Sequence, residues 1–110
     1  MNAKTFEKEA QQLIDECWNT LFNKSKEYAN DTDRLANFKQ PTSMFGVNQA
    51  EVCLFYDTKH IASMVKMAKD ANGGVLPTKE FLIEKVGDYI NYGILFYANM
   101  LELMKNAEKS

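Results

Sequence analysis

Apolar residues recur at three- and four-residue steps along most of this chain, and the steps gather into three long runs. The first covers residues 3–28, where Phe6, Ala10, Leu13, Ile14, Cys17, Leu21 and Tyr28 share one side of a helix. The second opens at Asn48, with Glu51 three residues on in the position of a capping box. Its stripe runs through Ala50, Cys53, Leu54, Ile61, Met64, Val65 and Ala68, and it stops at Asn72-Gly73-Gly74, where glycine can take a left-handed cap. Pro77 and Thr78 then start a third helix of roughly 27 residues, ending near Asn106. No β-alternation of useful length and no internal repeat interrupts this pattern. It predicts an all-α protein, a single helical domain over residues 1–110 built on three long helices.

The third helix carries a surplus of apolar surface. The run "DYINYGILFYANML", from Asp88, is apolar or aromatic on nearly every side. A helix of that kind must be buried all round, and three helices cannot easily enclose one of their own. The expectation is a bundle completed by homo-oligomerisation, a dimer or larger, with the third helix at the interface. Gly87 and Gly93 agree with this, because each costs ~1 kcal/mol relative to alanine inside a helix and calls for a close approach in return.

Composition narrows the setting. A chain of 110 residues holds one core, and 45% hydrophobic with 25% charged residues excludes general disorder. Thirteen Lys+Arg against fifteen Asp+Glu leave a net charge of −2, so there is no strong signal for nucleic acid and no broad basic surface for an anionic membrane. No stretch approaches the ~18 apolar residues of a membrane span. The N-terminal turns are charged and do not read as a secretion signal, so the cytoplasm is the expected compartment. Cys17 and Cys53 stand apart and are expected as buried, reduced thiols. His60 is the only histidine, too few ligands for a structural zinc.

Candidate chemistry comes from polar residues on apolar faces. Asp57 falls in the middle of the second stripe, with His60 on its flank, and a buried carboxylate demands a cation, a metal or a proton. Lys24, continuing the first stripe between Leu21 and Tyr28, and Arg34 are candidate partners. On the third helix Glu80, Glu84, Asp88 and Asn91 follow one another at four-, four- and three-residue steps. Like charges one turn apart repel, so either a bound cation or full solvation accounts for them.

The turn-rich segment "KSKEYANDTDRLANFKQ" (24–40), with "KHI" on the second helix and "EKVGDYINYGILF" on the third, resembles small phage-encoded helical proteins and the nucleotide-modification-associated domain. More distantly it is similar to the MazG-like all-α nucleoside triphosphate pyrophosphatases. That resemblance implies a host-cytoplasmic, dimeric or larger protein that binds Mg²⁺ through acidic pairs on neighbouring helices and releases pyrophosphate from a nucleotide, or a degenerate relative of such enzymes. Glu84 and Asp88 match the second acidic pair at a spacing one residue longer, and Glu51 and Asp57, six apart, stand where the first pair would. The implied site places Mg²⁺ on Glu84, Asp88 and Asp57. Asp57, His60 and Lys24 are then the catalytic candidates, and Glu27, Arg34, Lys39 and Asn91 are candidate contacts to the substrate. The rival expectation is a binding or inhibitor module without chemistry that captures a host protein.

Overall fold

The computed structural model describes residues 1–28 and 33–109, residues 24–28 through their backbone alone. It is helical throughout, with no strand among the described residues. Three long helices, α1 (Ala3–Tyr28), α4 (Gln49–Asn72) and α5 (Lys79–Glu108), carry the architecture, and two single turns, α2 (Ala36–Lys39) and α3 (Thr42–Phe45), lie between the first two of them. The capping box is present. Asn48 accepts from the Glu51 amide at 2.9 Å, and the Glu51 carboxylate accepts from the Asn48 amide at 3.1 Å. Thr78 caps α5 by accepting from Phe81 N–H at 3.1 Å. After α4 the chain turns through Gly74, whose φ of +81° only glycine takes cheaply.

α5 is the middle of the molecule. α4 packs antiparallel to it, with Cys53 Sγ donating to the Tyr92 carbonyl (3.6 Å) and Gln49 Nε2 donating to Asn99 Oδ1 (2.9 Å). α1 packs on another side and runs parallel: Lys79 pairs with Glu9 at 3.0 Å, and the Cys17 thiol meets the Gly87 carbonyl at 3.9 Å. A Cβ on Gly87 would sit 3.5 Å from Cys17 Sγ, an ordinary van der Waals contact. Both thiols are free and buried. Among the described residues α1 and α4 hardly meet, so the three helices form an open, layer-like bundle. The shape records this. The radius of gyration is 16.6 Å, against about 13 Å for a compact chain of this length.

The core is small and sits at one end of the α4–α5 seam. Leu35, Phe38, Val52 and Cys53 are buried together, with Val47, Tyr92, Leu95, Phe96 and Ala98 around them. Leu35 and Phe38 of the turn-rich segment are thus buried in this core: Phe38 inserts between Tyr56 and Tyr92, with ring centroids at 6.0 and 6.2 Å. Lys39 fastens the same strap by pairing with Asp33 (2.7 Å) and with Glu102 of α5.

The buried face of α4 is rotated from the expected stripe. Ala50, Val52, Cys53, Asp57 and His60 are buried, while Leu54, Ile61 and Val65 are exposed. The alternation in sequence merged two adjacent faces of one helix, of which only one meets α5. Among the fully buried side chains is Asn99, which donates from Nδ2 to the Leu95 carbonyl (2.9 Å) while its Oδ1 takes the Gln49 bond. This polar pair fixes the register of α4 on α5, because a slip by one turn strands both amides. Phe38→Ala removes the strap's main anchor and is expected to lower unfolding free energy by about 3 kcal/mol in urea titration, with helicity of the long elements retained.

Candidate functional site

Where α4 and α5 cross below the core, the seam becomes polar. Asp57 and His60, one turn apart on α4, face a second such pair on α5, Asp88 and Asn91. The spacing is three residues in each pair, which puts each pair on a single helix face. His60 Nδ1 stands 3.9 Å from Asp88 Oδ2, too long for a hydrogen bond and short enough for an ion pair were the imidazole protonated. The Tyr92 ring packs against the imidazole, centroids 4.8 Å apart. Asp57, His60 and Asn91 are all more than nine-tenths buried, and among the described residues Asp57 Oδ1, His60 Nε2 and Asn91 Oδ1 have no hydrogen-bond partner. Buried polar atoms are almost always paired, so three orphans in one seam single it out.

Electrostatics follows from burial. Desolvation raises the Asp57 pKa above the ordinary carboxylate value, partly offset by His60. Desolvation also lowers the pKa of His60, against the pull of Asp88 and Asp57 and with help from Lys59 and Lys85. Beside them, burial pushes the Cys53 thiol up to about 11, which leaves it inert. Tyr92 is likewise raised by burial, and its phenol stays protonated.

Asp88 also belongs to a second space. A cleft of about 490 Å³ lies between α1 and α5, and Glu16, Cys17 and Thr20 form part of one wall while Glu80, Glu84, Gly87 and Asp88 form the other. Lys79 sits at its rim, held by Glu9 and by Gln12 (3.2 Å). Four carboxylates against one engaged lysine make the cleft acidic. The expected metal residues are thus divided. Glu84 and Asp88 share the cleft, whereas Asp57 does not line it and lies in the seam behind Asp88. Among the described residues, no three His, Cys, Asp or Glu side chains converge to enclose a metal ion.

The substrate candidates separate too. Lys39 is committed to Asp33 and Glu102, and Glu102 lies about 21 Å along α5 from Asp88 at the helical rise. Arg34 is exposed on the strap. The side chains of Lys24 and Glu27 lie outside the described residues, so the Asp57–Lys24 pairing does too. Asp57 has no ion-pair partner among the described residues, although its burial agrees with its place on the stripe. Asn91 is buried in the seam rather than open to a ligand. The sequence reading joined Asp57, Glu84 and Asp88 in one implied metal site, whereas the structure brings together the equally spaced pairs Asp57-x-x-His60 and Asp88-x-x-Asn91 through His60 and Asp88. No family model, curated protein or solved structure matches the chain.

A pH dependence follows. Because the folded His60 pKa is lowered, the unfolded chain binds the proton first; stability is full above the ordinary pKa of 6.5 and falls as pH drops below it. Asp57 has the opposite sign: its raised folded pKa adds stability below the ordinary 3.8, lost as pH rises through the folded value. Thermal melts from about pH 7.5 to 5.5, the window around the histidine pKa, are expected to show a falling Tm in the wild type and a flatter profile in His60→Gln.

Proposed function

We propose that this chain is a MazG-like helical protein that takes a nucleotide triphosphate, chelated to Mg²⁺, in the cleft between α1 and α5. The reading is that of a nucleoside triphosphate pyrophosphohydrolase, or of a relative that keeps the binding and has lost the turnover. The observation that carries it is the double membership of Asp88: it lines the acidic cleft and is backed by His60 in the buried seam. A bare triphosphate would be repelled by Glu16, Glu80, Glu84 and Asp88, so the cleft suits a polyphosphate only with a cation present.

The donors suit Mg²⁺, a hard ion that needs one or two carboxylates and draws its other ligands from water and phosphate. Glu84 and Asp88, one turn apart on the cleft wall, are the residues that would hold it. When bound, the ion supplies charge neutralisation and polarisation of a phosphoryl oxygen. The chain's own residues position and select. Asp88 has the buried His60 imidazole behind it, and burial keeps that imidazole neutral near pH 7, so His60 shapes the polarity behind Asp88 rather than acting as a base in the cleft. The Tyr92 ring packs against the imidazole, and Asp57 lies one turn away on α4. Lys79 at the rim offers the cation nearest to a phosphate. Homo-oligomerisation through α5 and a phage-type, cytoplasmic role belong to this same reading.

A second reading is favoured by a different observation. Large apolar side chains stand exposed along all three long helices, as they would on a module that captures a host protein without chemistry. No helix is long and apolar enough to cross a membrane among the described residues. A screen of all ribo- and deoxynucleoside triphosphates with Mg²⁺ for pyrophosphate release separates the two. The enzyme reading expects release with at least one nucleotide, and expects Mg²⁺ or Mn²⁺ to raise the Tm by ligand linkage. Asp88→Asn is expected to keep the fold and lose both effects. Wild-type protein that shows neither, with every nucleotide and both ions, leaves the capture module as the better account.

A further inference from the structure

The side of α5 turned away from the acidic cleft is apolar and bare. At 100° per residue, Leu82, Tyr89, Gly93, Tyr97, Met100 and Met104 fall within about 80° of one another, and the five side chains are 39–67% exposed. α1 extends this face. It runs parallel to α5, with Glu9 beside Lys79 and Cys17 beside Gly87. Helical phase then puts Ile14, Trp18 and Phe22 on the same side of the layer as the α5 stripe. All three are exposed, and Trp18 and Phe22 pack edge to face at 4.7 Å. Between residues 14 and 22 of α1 and residues 82 and 104 of α5 no charged residue falls at these phases; Lys4, Glu7 and Lys79 share them only beyond the N-terminal end of the patch.

Gly93 marks its centre. A Cβ built there meets nothing within 4 Å, so no contact inside the protomer accounts for a glycine that costs ~1 kcal/mol in a helix interior. At Gly87, by contrast, a Cβ would touch Cys17 Sγ at 3.5 Å. Tyr89 and Tyr97 flank Gly93 by one turn on either side and leave a shallow hole between two rings.

We propose that a second copy of this chain seats on the face made jointly by α1 and α5, crossing α5 at Gly93. This rests on the homo-oligomeric reading above and adds which elements meet. Area decides the inclusion of α1. With about 200 Å² for a large side chain, the α5 stripe alone offers roughly 500 Å², short of the ~800 Å² per partner that a stable interface buries. Ile14, Trp18 and Phe22 raise it to roughly 800 Å² on the same scale. A second copy is the occupant because an uncharged face with a hole between two knobs is complementary to itself. A two-fold axis near Gly93 brings the partner's Tyr97 over the hole and creates no unpaired charge. The acidic cleft stays open on the opposite side of the layer.

The test is sedimentation velocity on the full chain at micromolar concentration, with circular dichroism to check helicity. Wild type is expected to be a dimer. Trp18→Glu and Gly93→Leu are each expected to weaken it at least tenfold, while Phe55→Glu, at an exposed apolar position on α4, leaves it intact. Gly93→Leu guards against misfolding as an explanation, because in a lone protomer its side chain meets open space and its helix propensity improves. If Trp18→Glu dimerises like wild type, α1 is not in the interface and the proposal fails, although oligomerisation through α5 stands. A wild-type monomer at every concentration overturns both. A monomer that binds lipid vesicles instead identifies a membrane surface as the occupant and also overturns the proposal.

Discussion

The rest of the structure depends on α5, which packs on α4 and on α1 and keeps a third side apolar and exposed. α5 gives one side to α4 through the Gln49–Asn99 amide pair and Cys53, and another to α1 through Gly87 and Cys17. Its third side carries Tyr89, Tyr97 and Met100 with nothing over them. Burial of large apolar groups is the main favourable term in folding, and here much of it is left unspent within the protomer. The elongated shape, the small core and the near absence of α1–α4 contact are consequences of that single shortfall.

The same arrangement creates the candidate site. With α1 and α4 held apart on either side of α5, a cleft forms over the α5 face that carries Glu84, Gly87 and Asp88. Behind it, the antiparallel crossing of α4 and α5 brings His60 to Asp88 and leaves Asp57 and Asn91 with unpartnered oxygens. Low local dielectric makes such orphans expensive. Three of them fall in one seam, on two equally spaced pairs. The strap formed by α2 and α3 does the plain structural work, closing the other end of the seam with Phe38 and Lys39.

Local chemistry made the helices legible. The Asn48–Glu51 box, the glycine turn after Asn72 and the Thr78 cap act within a few residues, and each sits where the pattern put it. Asp57 was found as a polar residue inside an apolar stripe. What failed was phase: Leu54, Ile61 and Val65 looked equivalent to Cys53 and Asp57, because periodicity shows that a helix has an apolar side and not how wide it is or which part meets a neighbour. His60, placed on the flank of the stripe, is fully part of the buried face. Lys39 looked like a substrate contact because its charge was visible and its partner, Glu102, lies far away in sequence. Glu84 and Asp57 could not be separated into cleft and seam without knowing that α1, rather than α4, lies over Glu84.

The chain has a single tryptophan, Trp18, and it is 60% exposed on the open side of the layer. Its fluorescence therefore reports directly whether another copy of the chain covers the exposed side of α5. The account expects emission shifted to the blue and poorly quenched by acrylamide at micromolar concentration, moving to the red and becoming quenchable on dilution. Red, fully quenchable emission at every concentration would contradict it.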